Sequence, residues 1–203
     1  MKKPKFEAKY YEHREELDLL IHDPEDVKGK FGGFEVLLRI GSPVLRNEWN
    51  SEANLTASER KYKVGTLLPS VPYELTVRGL VLPNVFSELA DPLLFKPSKA
   101  DQCAPQNVKL EAIDPHTVNM KWDLPAKSHG HIVGYTILWN LNNRKQKSIH
   151  LSSGQSYIFT NLQPKVSLSA SVCAHYKPEV PPNLEYIGSF SKPSTVITPP
   201  SVQ

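Results

Sequence analysis

The sequence predicts an all-β chain made of two homologous units of about 100 residues each. Three observations carry this. Apolar residues recur at every second position in one run after another, and the runs of the first half reappear in the second at a near-constant offset. No stretch of 10 or more residues shows a convincing amphipathic helical period. Eighteen prolines against 10 glycines fit many short elements stopped at rigid corners.

The repeat begins with an alternating run closed by proline. Leu17, Leu19 and Ile21 precede Pro24, and Val118, Met120 and Trp122 precede Pro125, an offset of 101. Period two buries one face of a strand, and the proline ends its ladder because it has no N–H to donate. Tyr11–Leu20 tolerates a helix, but the alternation fits a strand better.

The next strand, Gly33-Phe34-Glu35-Val36-Leu37-Leu38, is answered by Gly134-Tyr135-Thr136-Ile137-Leu138-Trp139, again 101 residues on. Tyr62, Val64, Leu67 and Pro69 then match Tyr157, Phe159, Leu162 and Pro164 at an offset of 95. Tyr73, Leu75 and Val77 match Leu168, Ala170 and Val172, and Asp91-Pro92 with Lys192-Pro193 restores 101. The first half therefore carries about six extra residues between Phe34 and Tyr62, offset by a longer stretch around 174–190. Length changes confined to loops, with strand spacing held, mark a tandem duplication. The units are expected at 1–99 and 103–200, divided by the polar segment Pro97-Ser98-Lys99-Ala100-Asp101-Gln102.

Composition narrows the class. With 39% hydrophobic residues the chain can build a core. Two cysteines are too few for a disulfide-dense scaffold or a four-thiolate zinc site. No apolar run approaches the roughly 20 residues that span a bilayer, so no membrane insertion is expected within this segment. The start, Met1-Lys2-Lys3-Pro4-Lys5, leads into charged sequence and does not read as a secretory signal. Residues 1–100 hold 15 basic and 15 acidic side chains, and residues 101–203 hold 9 and 6. That balance lacks the concentrated basic face of a nucleic-acid binder.

Particular residues now suggest a family. The second half has Ala104-Pro105 at its start, Trp122 on its second strand, Gly134-Tyr135 and Ile137 on the third, and Leu162-Gln163-Pro164 before the sixth. With these, each half resembles a diverged fibronectin type III repeat. The resemblance implies two immunoglobulin-like, seven-stranded β-sandwiches in tandem, each of about 100 residues. It also implies that Trp122 packs against Val118, Met120, Tyr135, Ile137 and Phe159. The first half has Ile21 in place of the tryptophan, with Phe34, Val36, Tyr62 and Val64 around it. Leu67-Leu68-Pro69 followed by Tyr73 looks like the tyrosine corner of such sandwiches. The second half has Leu168 there, so a hydrogen bond of about 1 kcal/mol is expected to be missing.

No catalytic set is legible. His129 and His131 flank Gly130 in a turn, but a catalytic zinc wants three protein ligands, so solvent-exposed turn histidines are the reading. The chain has no glycine-rich phosphate loop, no His-Glu-x-x-His and no Gly-x-Ser-x-Gly, and Glu15-Glu16 reads as strand-edge charge. No catalytic, cofactor or metal site is expected. Alternation places Cys173 on the outer face of its strand, and Cys103 at the unit boundary. In the resembling fold the first and sixth strands belong to opposite sheets, so a Cys103–Cys173 bond is disfavoured. Free thiols fit a cytosolic setting, though many extracellular repeats of this type have no disulfide.

Binding candidates remain. The loop His175–Tyr186 carries Tyr176 and Tyr186 among three prolines, offering amphipathic contact area or folding back on the protein. Trp49, in the extra segment Leu45–Glu52, is either a contact residue or packing at a sheet edge. Arg144, Lys145 and Lys147 form the one tight basic cluster, a solvated turn or a site for an acidic partner such as a sulfated glycan or anionic lipid. Asn54-Leu55-Thr56 is a glycosylation sequon expected in an exposed loop. Arg78-Gly79-Leu80 only begins like the Arg-Gly-Asp of integrin-binding repeats.

The functional expectation is a non-catalytic protein-recognition or spacer module, a fragment of a larger cell-surface receptor, adhesion or matrix protein. An intracellular scaffold or adaptor with the same repeats is the alternative. An enzyme whose catalytic domain lies outside this segment is a third.

Overall fold

Alternation decides what each strand buries. In the computed structural model, Leu17, Leu19 and Ile21 are buried while Leu20 between them is exposed, and Val118, Met120 and Trp122 repeat the pattern. The structure describes residues 1–41, 48–65, 67–97, 102–179 and 183–201. The polar segment at 98–101 and the residues Leu45, Arg46 and Asn47 lie outside them.

In the first half the strands are β1 (Phe6–Tyr11), β2 (Glu16–Ile21), β3 (Phe31–Ile40), β4 (Asn50–Leu55), β5 (Lys61–Val64), β6 (Tyr73–Val81), β7 (Val85–Phe86) and β8 (Leu93–Phe95). One layer is ordered β1-β2-β5; the other is β4-β3-β6-β7, with β8 also on β6. A single 3-10 turn at Glu12–Arg14 joins β1 to β2 and ends on Glu15, whose φ of 52° reverses the chain.

In the second half they are β9 (Gln106–Asp114), β10 (Thr117–Asp123), β11 (His131–Leu141), β12 (Lys147–Leu151), β13 (Ser156–Phe159), β14 (Ser167–Lys177), β15 (Leu184–Ile187) and β16 (Ser194–Ile197). One layer is β13-β10-β9; the other runs β12-β11-β14, with β16 on β14. Both halves are thus antiparallel two-layer sandwiches, and the chain is all-β.

Irregularities recur with the strands. The β3–β6 ladder slips between Phe31 and Gly33, and the β11–β14 ladder slips between Ile132 and Gly134. A Cβ on Gly33 would stand 1.9 Å from the carbonyl oxygen of Leu55, and one on Gly134 2.6 Å from that of Leu151. Each glycine therefore lets a neighbouring strand's backbone come close at a bulge.

The chain divides by contact into two compact units, Met1–Lys99 with Pro178–Tyr186, and Ala100–Lys177 with Ile187–Gln203. In the first of these, β15 lies beside β1. Asn183 accepts the N–H of Ala8 at 2.9 Å and donates its own Nδ2 to the carbonyl of Phe6 at 3.0 Å. Lys9 pairs with Glu185 at 3.2 Å, and the Tyr10 and Tyr186 rings lie 5.0 Å apart. A strand edge at β1 that would otherwise present unpaired groups is covered this way.

Around Trp122, the side chains of Val118, Met120, Tyr135, Ile137 and Phe159 are all buried, as are Ile21, Phe34, Val36 and Val64 in the first half. Tyr62 departs from that set. It is only half-buried because β5 is the terminal strand of its layer, leaving one side of the ring open.

Candidate functional site

On the β4-β3-β6-β7 layer, charges meet in register. Glu35 and Arg39 of β3 stand directly opposite Arg78 and Glu74 of β6. Arg78 Nε donates to Glu35 at 2.6 Å, and Arg39 is paired with Glu74 in the opposite sense. An aromatic ring covers each guanidinium: Trp49 lies 4.1 Å from that of Arg39, and Phe86 3.9 Å from that of Arg78. Thr76, fully buried between the two pairs, donates its hydroxyl to the Ala90 carbonyl at 2.8 Å. A shallow cavity of about 300 Å³ opens beside the array, lined by Glu35, Trp49, Ser51, Arg78 and Leu89. Leu82, Val85, Phe86 and Leu89 are exposed around β7.

Trp49 is thus half-buried over Arg39. Asn54 stands in a strand and not in the exposed loop expected for the sequon. It is nonetheless exposed, because β4 is an edge strand, and its cross-strand partner is Glu35.

In the second unit, Arg144, Lys145 and Lys147 are exposed on the β11–β12 hairpin. Asn142 and Asn143, with φ of 50° and 54°, make its turn. Lys147 Nζ lies 5.0 Å from the centre of the Trp139 ring, its partner across the ladder. The three cations rim a cavity of about 510 Å³ with Trp139, Asn140 and Asn161 in its wall.

Of the two readings of the loop tyrosines, folding back on the protein is the one the structure shows, and the contact reading is withdrawn. Tyr176 is completely buried and Tyr186 nearly so, so neither offers contact area. The reason is that β14 runs on to Lys177, which keeps Tyr176 on the inward-facing side with Val172 and Ala174. Its hydroxyl donates to the Cys103 carbonyl at 3.0 Å. Tyr186 sits on β15 against Tyr10.

The histidines divide differently from expectation. His131 is exposed, but His129 is half-buried with its ring edge-on to Tyr176, and burial holds its imidazole below the ordinary pKa. Among the described residues no group of three or more His, Cys, Asp or Glu is placed to hold a metal. Unread in the sequence was a different pair: Thr136 Oγ1 lies 2.9 Å from His150 Nδ1 and 2.7 Å from His175 Nε2. Only their alternate positions on separate strands hinted at a shared face.

Both cysteines are buried and neither is in a disulfide. Cys173 faces away from the core as alternation implies, with Thr136 opposite it, yet that face is covered and burial pushes the thiol up to about 12.

The fibronectin type III domain family matches residues 103–184. Over 200 residues the chain is 54% identical to oncosphere antigen A of Hydatigena taeniaeformis, covering 98% of this chain and 63% of that protein. Over 160 residues it is 28% identical to human usherin, covering 74% of this chain and 3% of usherin. The chain therefore spans less than two thirds of either relative. Its fold is similar to a crystal structure of the FN1-FN3 domains of chicken CNTN1, with a TM-score of 0.55 at 16% identity over 98% of this chain and 68% of that one. Among the described residues no helix is long and apolar enough to cross a membrane.

Proposed function

We propose that the chain is a tandem pair of fibronectin type III-like domains, spanning 1–99 and 103–200, that serves as a non-catalytic recognition and spacing segment of a larger cell-surface, adhesion or matrix protein. The observation that carries the recognition role is the Arg39–Glu74 and Arg78–Glu35 array under Trp49 and Phe86. Arginine and aromatic side chains held rigid on a sheet are the groups from which interface hot spots are made. The exposed apolar residues Leu82, Val85 and Leu89 extend that surface. The partner on this reading is a protein.

The extracellular setting is supported by the likeness to a protein named as an oncosphere antigen and by the exposed Asn54 sequon. A glycan on Asn54 would stand at the rim of the array, across from Glu35. Two cysteines not joined in a disulfide favour a second reading, a cytoplasmic scaffold with the same domains.

The test is expression of the chain behind a secretion signal, with photo-crosslinking from position 85 on the cell surface. A cross-linked protein lost in Trp49→Ala and Phe86→Ala variants of unchanged fold supports recognition through this face. Cross-linking unaffected by both variants refutes it. A secreted chain of unmodified mass, shifted by nothing in Asn54→Gln, removes the glycan from the argument.

A further inference from the structure

The cavity at the β11–β12 hairpin was made by residues that the protein-recognition reading does not use. Its about 510 Å³ falls within the size range of small-molecule sites, roughly 300–1,000 Å³. Arg144, Lys145 and Lys147 give it a cationic rim, and none of its lining residues is acidic. Among the described residues none of these three cations has a carboxylate partner, whereas Arg39, Arg60 and Arg78 in the first unit all do. The wall is aromatic and amidic: Trp139, Asn140 and Asn161 line it, and Asn142 and Gln163 add two further carboxamides.

Two polar atoms of the wall are left over. The Trp139 indole N–H and the Asn140 side-chain carbonyl oxygen are both shielded from solvent and have no hydrogen-bond partner among the described residues. Groups of that kind are held at a free-energy cost unless something binds them. The frame is stiff. Asn142, Asn143 and Asn161 all hold φ between 50° and 58°, and the Asn142 side chain accepts the N–H of Ser167 at 2.9 Å. The Trp139 ring is fixed from one side by Phe159, 5.3 Å away. A pre-formed pocket loses little conformational entropy on binding.

We propose that this cavity binds an anionic saccharide, a sugar unit carrying sulfate or carboxylate. Cations supply charge-assisted hydrogen bonds to the acidic group, with Arg144 able to engage two oxygens at once. The carboxamides of the wall serve sugar hydroxyls, which both donate and accept. An acidic peptide would use the cations but would leave the carboxamides of Asn161 and Gln163 without hydroxyl partners, so the saccharide is the better match.

The experiment is an amide and indole NMR titration of the full chain with a sulfated glycosaminoglycan disaccharide. The expected result is saturable movement of the Trp139 indole N–H and of the 144–147 amides, weakening as salt is raised. The desulfated disaccharide should bind at least about tenfold more weakly, a difference of about 1.4 kcal/mol. Arg144→Ala/Lys145→Ala should lose binding by a similar factor, with the rest of its spectrum unmoved, and Lys145→Glu should do so without truncating the hairpin. The proposal is overturned if the Trp139 indole N–H does not move. It is equally overturned if inorganic sulfate alone reproduces the whole response at equal affinity, an adventitious ion only, or if a glutamate-rich peptide binds more tightly than the disaccharide.

Discussion

The hydroxyl of Tyr73 accepts the backbone N–H of Leu68 at 2.9 Å and so ties the turn before β6 to the strand itself. In the second half Leu168 stands at the matching position, yet the turn is not left loose. Thr198 accepts the N–H of Val166 at 3.0 Å and donates to the carbonyl of Gln163 at 2.8 Å. One corner is pinned from within its own strand, the other from the segment that follows β16. Tyr73→Phe and Thr198→Val should each lower the stability of the full chain by about 1 kcal/mol in urea unfolding. Equal stability of Thr198→Val and the parent would mean that the second corner needs no pin.

The Arg39–Glu74 pair has side chains only 20% and 18% exposed, against 48% and 86% for Lys3–Asp91. Partial burial raises the Coulomb attraction and reduces screening, while exposed pairs contribute about 0–1 kcal/mol. A double-mutant cycle at 39 and 74 should give a coupling of about 1–2 kcal/mol that survives added salt, and one at 3 and 91 should give a coupling near zero. Trp49→Ala should cost a further about 0.5–1 kcal/mol by uncovering the guanidinium. Equal couplings in the two cycles would remove the array's claim to rigidity.

Much of the fold was legible because burial follows local alternation, which a sequence displays directly. Leu17, Leu19 and Ile21 needed nothing else. The charged array was not read, because it depends on which residue of β6 faces which residue of β3. A signal was present: Glu35 and Arg39 lie four apart on one strand, and Glu74 and Arg78 lie four apart with the same order of sign on the other. Antiparallel pairing turns those matching orders into two complementary pairs. For Tyr176 two readings stood open, although its period of two from Val172 already pointed inward. Tyr186 could not be placed, since its neighbour Tyr10 is far away in sequence and no local pattern announces that pairing.

Cys173 offers a chemical check on burial. With its thiol pushed up to about 12, it stays protonated at neutral pH, and the thiolate is the reactive form. A maleimide or iodoacetamide should label it only after denaturation. The sign of the linked stability also follows. The folded state holds the proton more tightly than the unfolded chain, whose thiol titrates near about 8.5, so stability is full below that value and declines as pH rises toward 12. Cys173→Ala should flatten that alkaline decline. Rapid labelling of Cys173 in the native chain at neutral pH would contradict its burial.

His129 gives the acid counterpart. Burial against Tyr176 disfavours its charged form, so its folded pKa lies below the unfolded value of about 6.5. As pH falls through 6.5 the unfolded chain takes up a proton that the folded chain refuses. The unfolded state then binds more protons, and stability drops with falling pH until the folded value is passed. An imidazole NMR titration should place the His129 midpoint below the ordinary histidine value. In urea unfolding, His129→Gln should remove part of the acid slope between about pH 7 and pH 5 while leaving neutral-pH stability within about 1 kcal/mol of the parent. A His129 midpoint at or above the ordinary value, with an unchanged slope in the variant, would show that the ring is solvated and not packed on Tyr176.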